Sequence, residues 1–517
     1  MTPTGWSPRA TLMTAIIATG LVSIAGGASA DSSTKPFVYA EAFPFSTMDP
    51  AAAGLNPDML VTQNTYDALT RYDESAPTKI LPALATSWTQ NGNDWTFKLR
   101  AGVKFHDGKP LTADDVKATI DRMLKMQQGL TFLLYNVSGV DVIDPTTVVI
   151  HAKTANPWLP ADLTKVGIVS AQDIKDHATG DDLAAGWFKD HENGTSAYKV
   201  TANNPGVDLT LGRNKDWWGE FTDHPVETFI DRFVVDGSQR FIGLKGGDYQ
   251  LAAFISTDNA LSLDKTKFHL VVGNNLWAYP NLNLNPIAAP TNNADFRAAM
   301  VAAFDYKAMV DYYKGYASTS NGPIPAWVPG STSDKLPVIK QDLDKAKALL
   351  DKSGIKNAKF TCAIPAGSPD YDFVGQVLQA AAASLGVTIE LNDVPVAQIP
   401  DLMKKGTVAC AVYGEASNSP DPAPFFAARY LKGKYLNLWS YDDADMVKLI
   451  DQYAAAADAK AQDDALMQIS QKLVDMHMDL WTVSPQTVMP MPNSVQGYKV
   501  DPFNLINVRI ASLSYSP

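Results

Sequence analysis

The chain has 517 residues, 46% hydrophobic and 19% charged, which is ordinary globular material with ample core for roughly two to four domains. Its 43 basic and 55 acidic residues leave a net charge of −12, which argues against nucleic acid or an anionic membrane surface as partner.

The N-terminus reads as a secretory signal peptide: Arg9 ends a short basic region, Leu12 to Gly27 is apolar, and Ala28-Ser29-Ala30 fits the small-residue cleavage site. The mature chain is expected to begin at Asp31, with a net charge of −13 once Arg9 is removed. No Cys stands at the cleavage site, so no lipid anchor is expected, and nothing after residue 30 is long and apolar enough to span a bilayer. From Lys35 to Asp49 the chain is extended and aromatic, and Asp58 to Tyr72 looks helical.

The stretch Leu81 to Met123 is the most informative. Trp95, Phe97 and Leu99 alternate with Thr96, Lys98 and Arg100, the period of a half-buried strand, and Val103 and Phe105 continue it after Gly102. Asp107-Gly108 is a turn dipeptide, Thr112 stands three residues before Asp115 as a helix cap, and Val116, Ile120 and Met123 share one helical face. Gly102 and Gly108-Lys109 miss the phosphate-loop spacing by one residue, and Pro110 replaces the hydroxyl that would hold Mg²⁺. PALATSW, WTFKLR and VKFHDGKPLTADDV, in that order, closely resemble the signature of the family 5 extracellular solute-binding proteins, the peptide- and nickel-binding group of ABC importers. The resemblance implies that His106 and Asp107 are scaffold.

The likeness continues along the chain. Residues 141 to 169 read as strands and Ala171 to Asp190 as helical. HENGTSAYKV (191–200) resembles the family's GTGPYKV turn, and LTLGRNKDWWGE (209–220) its strand and RNxxYWG run. Ile230 to Val235 reads as a strand and Gln239 to Asp248 as a helix and turn; Leu276 to Asn285 resembles the segment that crosses into the second lobe. Asn293 to Lys314 reads as one amphipathic helix, and Asp342 to Gly354 as a helix closed by glycine. Between Lys359 and Glu415 strand and helix alternate, an α/β pattern. Cys362 and Cys410 sit in apolar, strand-like contexts; an oxidising compartment permits a bridge, and two buried thiols are the alternative.

By analogy the fold is α/β: a two-lobed periplasmic binding protein, type II-like, with an extra subdomain inserted in the first lobe. The expected division is a signal peptide (1–30), lobe I (31–70, 191–275 and 482–517), the insert (71–190) and lobe II (276–481). The lobes are expected to close over a ligand as a hinged clamp.

No HExxH, GxSxG, GxGxxG or CxxC occurs, and the seven histidines never fall at i, i+4, so neither catalysis, a metal site nor a cofactor is expected. The segment Tyr413 to Arg429, YGEASNSPDPAPFFAAR, leaves a strand for a loop at the lobe junction, a usual place for a ligand. Peptide-binding relatives carry an Asp there that pairs with the peptide's α-ammonium. Here Asn418 occupies that place, with Glu415 nearby as another source of charge. Asp421, between two prolines, reads as a structural turn carboxylate. Phe43, Phe45, Trp277, Tyr279, Tyr413, Phe425 and Trp481 lie in segments that line the cleft in relatives, and Arg429 could pair with a carboxylate. The function implied is periplasmic capture of a peptide or similar solute by a monomer, handed to ABC permease subunits in the inner membrane. An oligosaccharide or opine-like conjugate is the alternative ligand, and a secreted hydrolase the remote alternative.

Overall fold

The computed structural model describes residues 35–516 apart from 75, 275–280, 329–330, 415–417, 435, 440–441, 457, 502 and 504–507. The expected signal peptide therefore lies outside the described residues, as do the expected ligand contacts Trp277, Tyr279 and Glu415.

Two five-stranded sheets organise the molecule. The first runs Leu251–Ala252, Phe37–Glu41, Thr228–Phe233, Asp208–Arg213, Tyr198–Asn204, parallel over its first three strands and antiparallel beyond. The second runs Thr388–Val394, Lys359–Pro365, Cys410–Val412, Asn281–Leu284, Asp479–Trp481, with a parallel half and an antiparallel half. Cys362 and Cys410 face each other across the parallel pair, with Cα atoms 4.5 Å apart, and form a disulfide. Register supplies what spacing in the sequence left open. The chain passes between the sheets twice, and strands from the two passages, Phe268–Asn274 and Ser484–Pro492, pair antiparallel.

A separate four-stranded antiparallel sheet, Ala85–Asn91, Asp94–Leu99, Thr147–Ala152 and Val137–Asp144, carries its own core. Trp95, Phe97 and Leu99 are buried as their alternation predicts, and Val116, Ile120 and Met123 pack against them from the helix Ala113–Met126. The backbone N–H of Thr112 donates to the Asp115 carboxylate at 2.8 Å. Val103 and Phe105 are core residues outside any strand, held by a single bridge between Lys104 and Pro110.

The signature turn is scaffold. His106 lies between Glu192 (Nδ1 to carboxylate, 2.7 Å) and the Ser196 carbonyl (3.0 Å), while Asp107 N–H donates to Asn193. The motif VKFHDGK thus docks on the motif HENGTSAY. Gly194 in the second motif seats so closely that a Cβ would stand 1.9 Å from the Thr65 carbonyl oxygen, which only glycine allows.

Three expected elements divide. The helix expected over Asp58–Tyr72 is Asn56–Thr65 followed by the strand Thr70–Asp73. Asn293–Lys314 splits into Ala294–Ala303 and Tyr306–Tyr312, because Asp305 turns its carboxylate onto the Ala308 N–H (2.9 Å) and starts a new helix. Ala171–Asp190 holds two short helices, Ala171–His177 and Ala185–Phe188. The region expected to be strands to residue 169 ends in helical turns from Leu159 to Lys165.

Candidate functional site at the lobe junction

The strand Cys410–Val412 lies at the centre of the second sheet, and the chain leaves it through Tyr413 towards a loop that ends at Asp421. Asp421 caps the helix Pro422–Tyr430, accepting from Ala423 N–H at 2.9 Å, with two prolines in the first turn that need no partner for a missing N–H. This helix packs against the 3₁₀ turn Gly129–Leu134 beside the four-stranded sheet. The loop therefore begins and ends in the second lobe and runs along its junction with the four-stranded sheet.

One direct bond across the junction runs from Ser419 Oγ to Asp162 Oδ1, at 2.6 Å, with both side chains buried. Asn156 Nδ2 donates to the other Asp162 oxygen (3.2 Å), and Tyr453 OH donates to Asp421 Oδ1 (3.3 Å). Among the described residues no cation pairs with either carboxylate. Burial pushes the Asp421 carboxyl up to about 7; burial and then the Asp421 charge push Asp162 well above the usual carboxylate range. Burial favours the neutral acid at Asp421, and burial together with the nearby Asp421 charge favours it at Asp162. Glu41, at the end of the first strand of the other sheet, is likewise driven up to about 7 by burial, although its oxygens accept from Ala42 N–H, Phe43 N–H and Tyr39 OH.

The expected contact residues separate into groups. Asn418 is buried in the junction loop with φ +58°, a left-handed conformation that Asn tolerates better than most residues. Tyr413 is buried at the strand end, its N–H bonded to the Asn281 carbonyl, in a cluster with Trp439 and Met478. Phe45 is half-buried and lines a small cavity with Glu41 and Asp231. Phe43 lies edge-on to Phe254 (5.2 Å), whose ring approaches Tyr371 of the second lobe. Phe425 and Trp481 belong to the second lobe's core with Ile450 and Ile469. Arg429 is 1% exposed, and its guanidinium bonds Asp479 Oδ1 and Asn283 Oδ1, each at 2.5 Å, with Trp439 4.9 Å beneath it. The arginine expected to meet a ligand carboxylate thus meets a protein carboxylate fifty positions along the chain, a pairing that no sequence motif announces.

Asp162, Asn156 and Tyr453 are junction residues that sequence reasoning does not single out. The available signal was a carboxylate inside the apolar run WLPADL. A second tie between the lobes comes from buried Arg240, which donates to the Val234, Val235 and Ala253 carbonyls and reaches the Gly367 carbonyl of the other lobe at 2.6 Å. Among the described residues no group of three His, Cys, Asp or Glu is placed to hold a metal ion, and no helix is long and apolar enough to cross a membrane.

Comparison with known proteins gives consistent matches. A model of the bacterial extracellular solute-binding proteins, family 5, matches residues 79–437. The probable D,D-dipeptide-binding periplasmic protein of Escherichia coli K12 is 26% identical over 476 residues, spanning 88% of this chain and 90% of that protein. The fold superposes on the oligopeptide-binding protein of Bacillus subtilis, solved with a nonapeptide, with a TM-score of 0.84 at 20% identity, covering 93% of this chain and 99% of that one. It also superposes on a binding protein from A. tumefaciens R10 solved with agropinic acid, with a TM-score of 0.80 at 20% identity and coverage of 93% and 99%.

Proposed function

The chain belongs to the family 5 bacterial extracellular solute-binding proteins, and on that premise we propose that it captures a short peptide or peptide-like solute between its lobes and delivers it to an ABC permease. Export through cleavage after Ala30 and action in the periplasm as a monomer complete the proposal. Family members bind rather than catalyse.

The observation that carries the reading is the junction loop. It starts at a central strand of one lobe, ends at a capped helix, and bonds the other lobe through Ser419 and Asp162. A solute held at this junction would lie between the two lobes. Within it, Tyr413 and Asn418, with Phe45 from the first lobe, are the proposed contacts; Arg429 is assigned to holding the second lobe together. Whether Trp277, Tyr279 and Glu415 join them is part of the same test.

Asn418 favours a second reading of the ligand, one without a free α-ammonium, such as an N-blocked peptide or an opine-like conjugate. A buried ammonium lacking a counter-charge is costly, and an amide supplies none. Calorimetry with free di- and tripeptides and with their N-acetylated forms decides. Free peptides should bind weakly and blocked ones more tightly. Tight binding of free peptides, lost in Glu415→Gln and kept in Asn418→Ala, would overturn the second reading and leave the first. Failure of every peptide, blocked or free, would overturn the peptide reading itself.

A further inference from the structure

A cavity of ≈ 110 Å³ opens on the first lobe, between the strand Thr70–Asp73, the Trp217-Trp218 turn and the C-terminal segment around Asp501. Among the described residues none of its lining comes from 219–498, the range that holds the described part of the junction loop. Four cationic side chains and three carboxylates line it, an excess of one positive charge in a chain whose net charge is −12.

The charges pair off unevenly. Lys165 Nζ is buried against Asp501 at 2.9 Å. Glu74 takes both Arg509 (3.4 Å) and Lys499 (3.5 Å). Asp67 accepts from both indoles, Trp218 Nε1 at 2.7 Å and Trp217 Nε1 at 3.4 Å. Arg71 is left over: half-buried, its guanidinium makes no hydrogen bond or ion pair among the described residues. Burial and then the neighbouring Arg509 work against its charge, while Glu74 and Asp73 favour it without bonding to it. A guanidinium has five donors in a planar fork and cannot shed its proton, so a desolvated one with no acceptor is an incomplete site.

We infer that this cavity is a second solute site, binding a small monocarboxylate with an apolar body through the guanidinium of Arg71. A carboxylate matches the fork with two parallel N–H···O bonds, and a single negative charge cancels the single excess positive one. A dianion such as phosphate would overshoot that balance and face Glu74 and Asp501. The indoles of Trp217 and Trp218, with Val500 and Val508, supply apolar wall for the rest of the molecule.

The probe is 4-fluorobenzoate, followed by ¹⁹F NMR on the mature protein. Saturable binding is expected, weakened about tenfold or more in Arg71→Met, the loss of one bidentate charge-assisted pair. Because Arg71 holds no partner, this variant should melt as the wild type does. Ala68→Leu, which narrows the cavity and leaves Arg71 in place, should weaken binding independently. Absence of saturable binding to wild type, equal binding by Arg71→Met and wild type, or a stronger response to inorganic phosphate than to 4-fluorobenzoate would each overturn the assignment.

Discussion

Asp421→Asn should make the protein more stable at pH 8 and leave it nearly unchanged at pH 4.5. Asparagine caps helices as well as aspartate does, and Asp421 Oδ1 alone accepts both the Ala423 N–H and the Tyr453 hydroxyl, so the amide oxygen can keep both bonds. What the substitution removes is the buried charge beside Asp162. In the unfolded chain Asp421 loses its proton near pH ~3.9; in the fold, burial holds the proton until about 7. Between those values the folded state binds more protons than the unfolded state, so wild-type stability falls as pH rises. About three pH units at roughly 1.36 kcal/mol each give a difference on the order of 4 kcal/mol, fully developed above pH 7 and absent below pH ~4. Urea denaturation of both proteins at pH 4.5, 6 and 8 measures it. Glu41 titrates in the same range and contributes to both curves, so the quantity to read is the gap between variant and wild type. Parallel curves, or a variant less stable at pH 8, would show that burial of the Asp421 charge carries no such penalty.

Replacing Cys362 and Cys410 together by alanine should cost about 4 kcal/mol, from the loop-entropy relation for a separation of 48 residues, and denaturation with and without reductant would show it. Arg429→Met strands the Asp479 carboxylate and should cost about 3–5 kcal/mol, while the double variant with Asp479→Leu should recover most of it; a double variant no better than the single one would refute the pairing argument. Gly194→Ala forces the Thr65 carbonyl aside and should lower stability by about 3 kcal/mol, whereas Gly92→Ala, with open space around its Cβ position, should cost less, all read from thermal melts.

Local signals were legible wherever one short stretch settles its own structure. The 95–99 alternation, the Asp107-Gly108 turn and the Thr112–Asp115 cap are each settled within a few residues, and each stands as read. Asp305 is the instructive failure. An aspartate inside an amphipathic pattern reads as a polar-face residue, yet the same side chain is a strong N-cap, and the extended backbone at Phe304 lets the cap win. The site was less legible because its chemistry is assembled across the chain. Asp162 meets Ser419, Arg429 meets Asp479, and Cys362 meets Cys410 only after the sheets set their registers. The aromatic residues chosen as contacts were apolar by composition, and Phe425 and Trp481 are core for that same reason.

The ribbon formed by Phe268–Asn274 and Ser484–Pro492 has a mechanical meaning for the clamp. Seven facing residue pairs, from Phe268 opposite Pro492 to Asn274 opposite Gln486, tie the two crossings together. Antiparallel ladder bonds lie perpendicular to the strands. Sliding one crossing past the other by a single residue would turn every side chain to the opposite face, whereas flexing the ribbon out of its plane breaks none of those bonds. The pair therefore acts as a leaf spring, stiff in shear and compliant in bending. In the proposed clamp movement, such a pair favours swing and twist over gliding, which would bring the two walls of the cleft back to the same alignment.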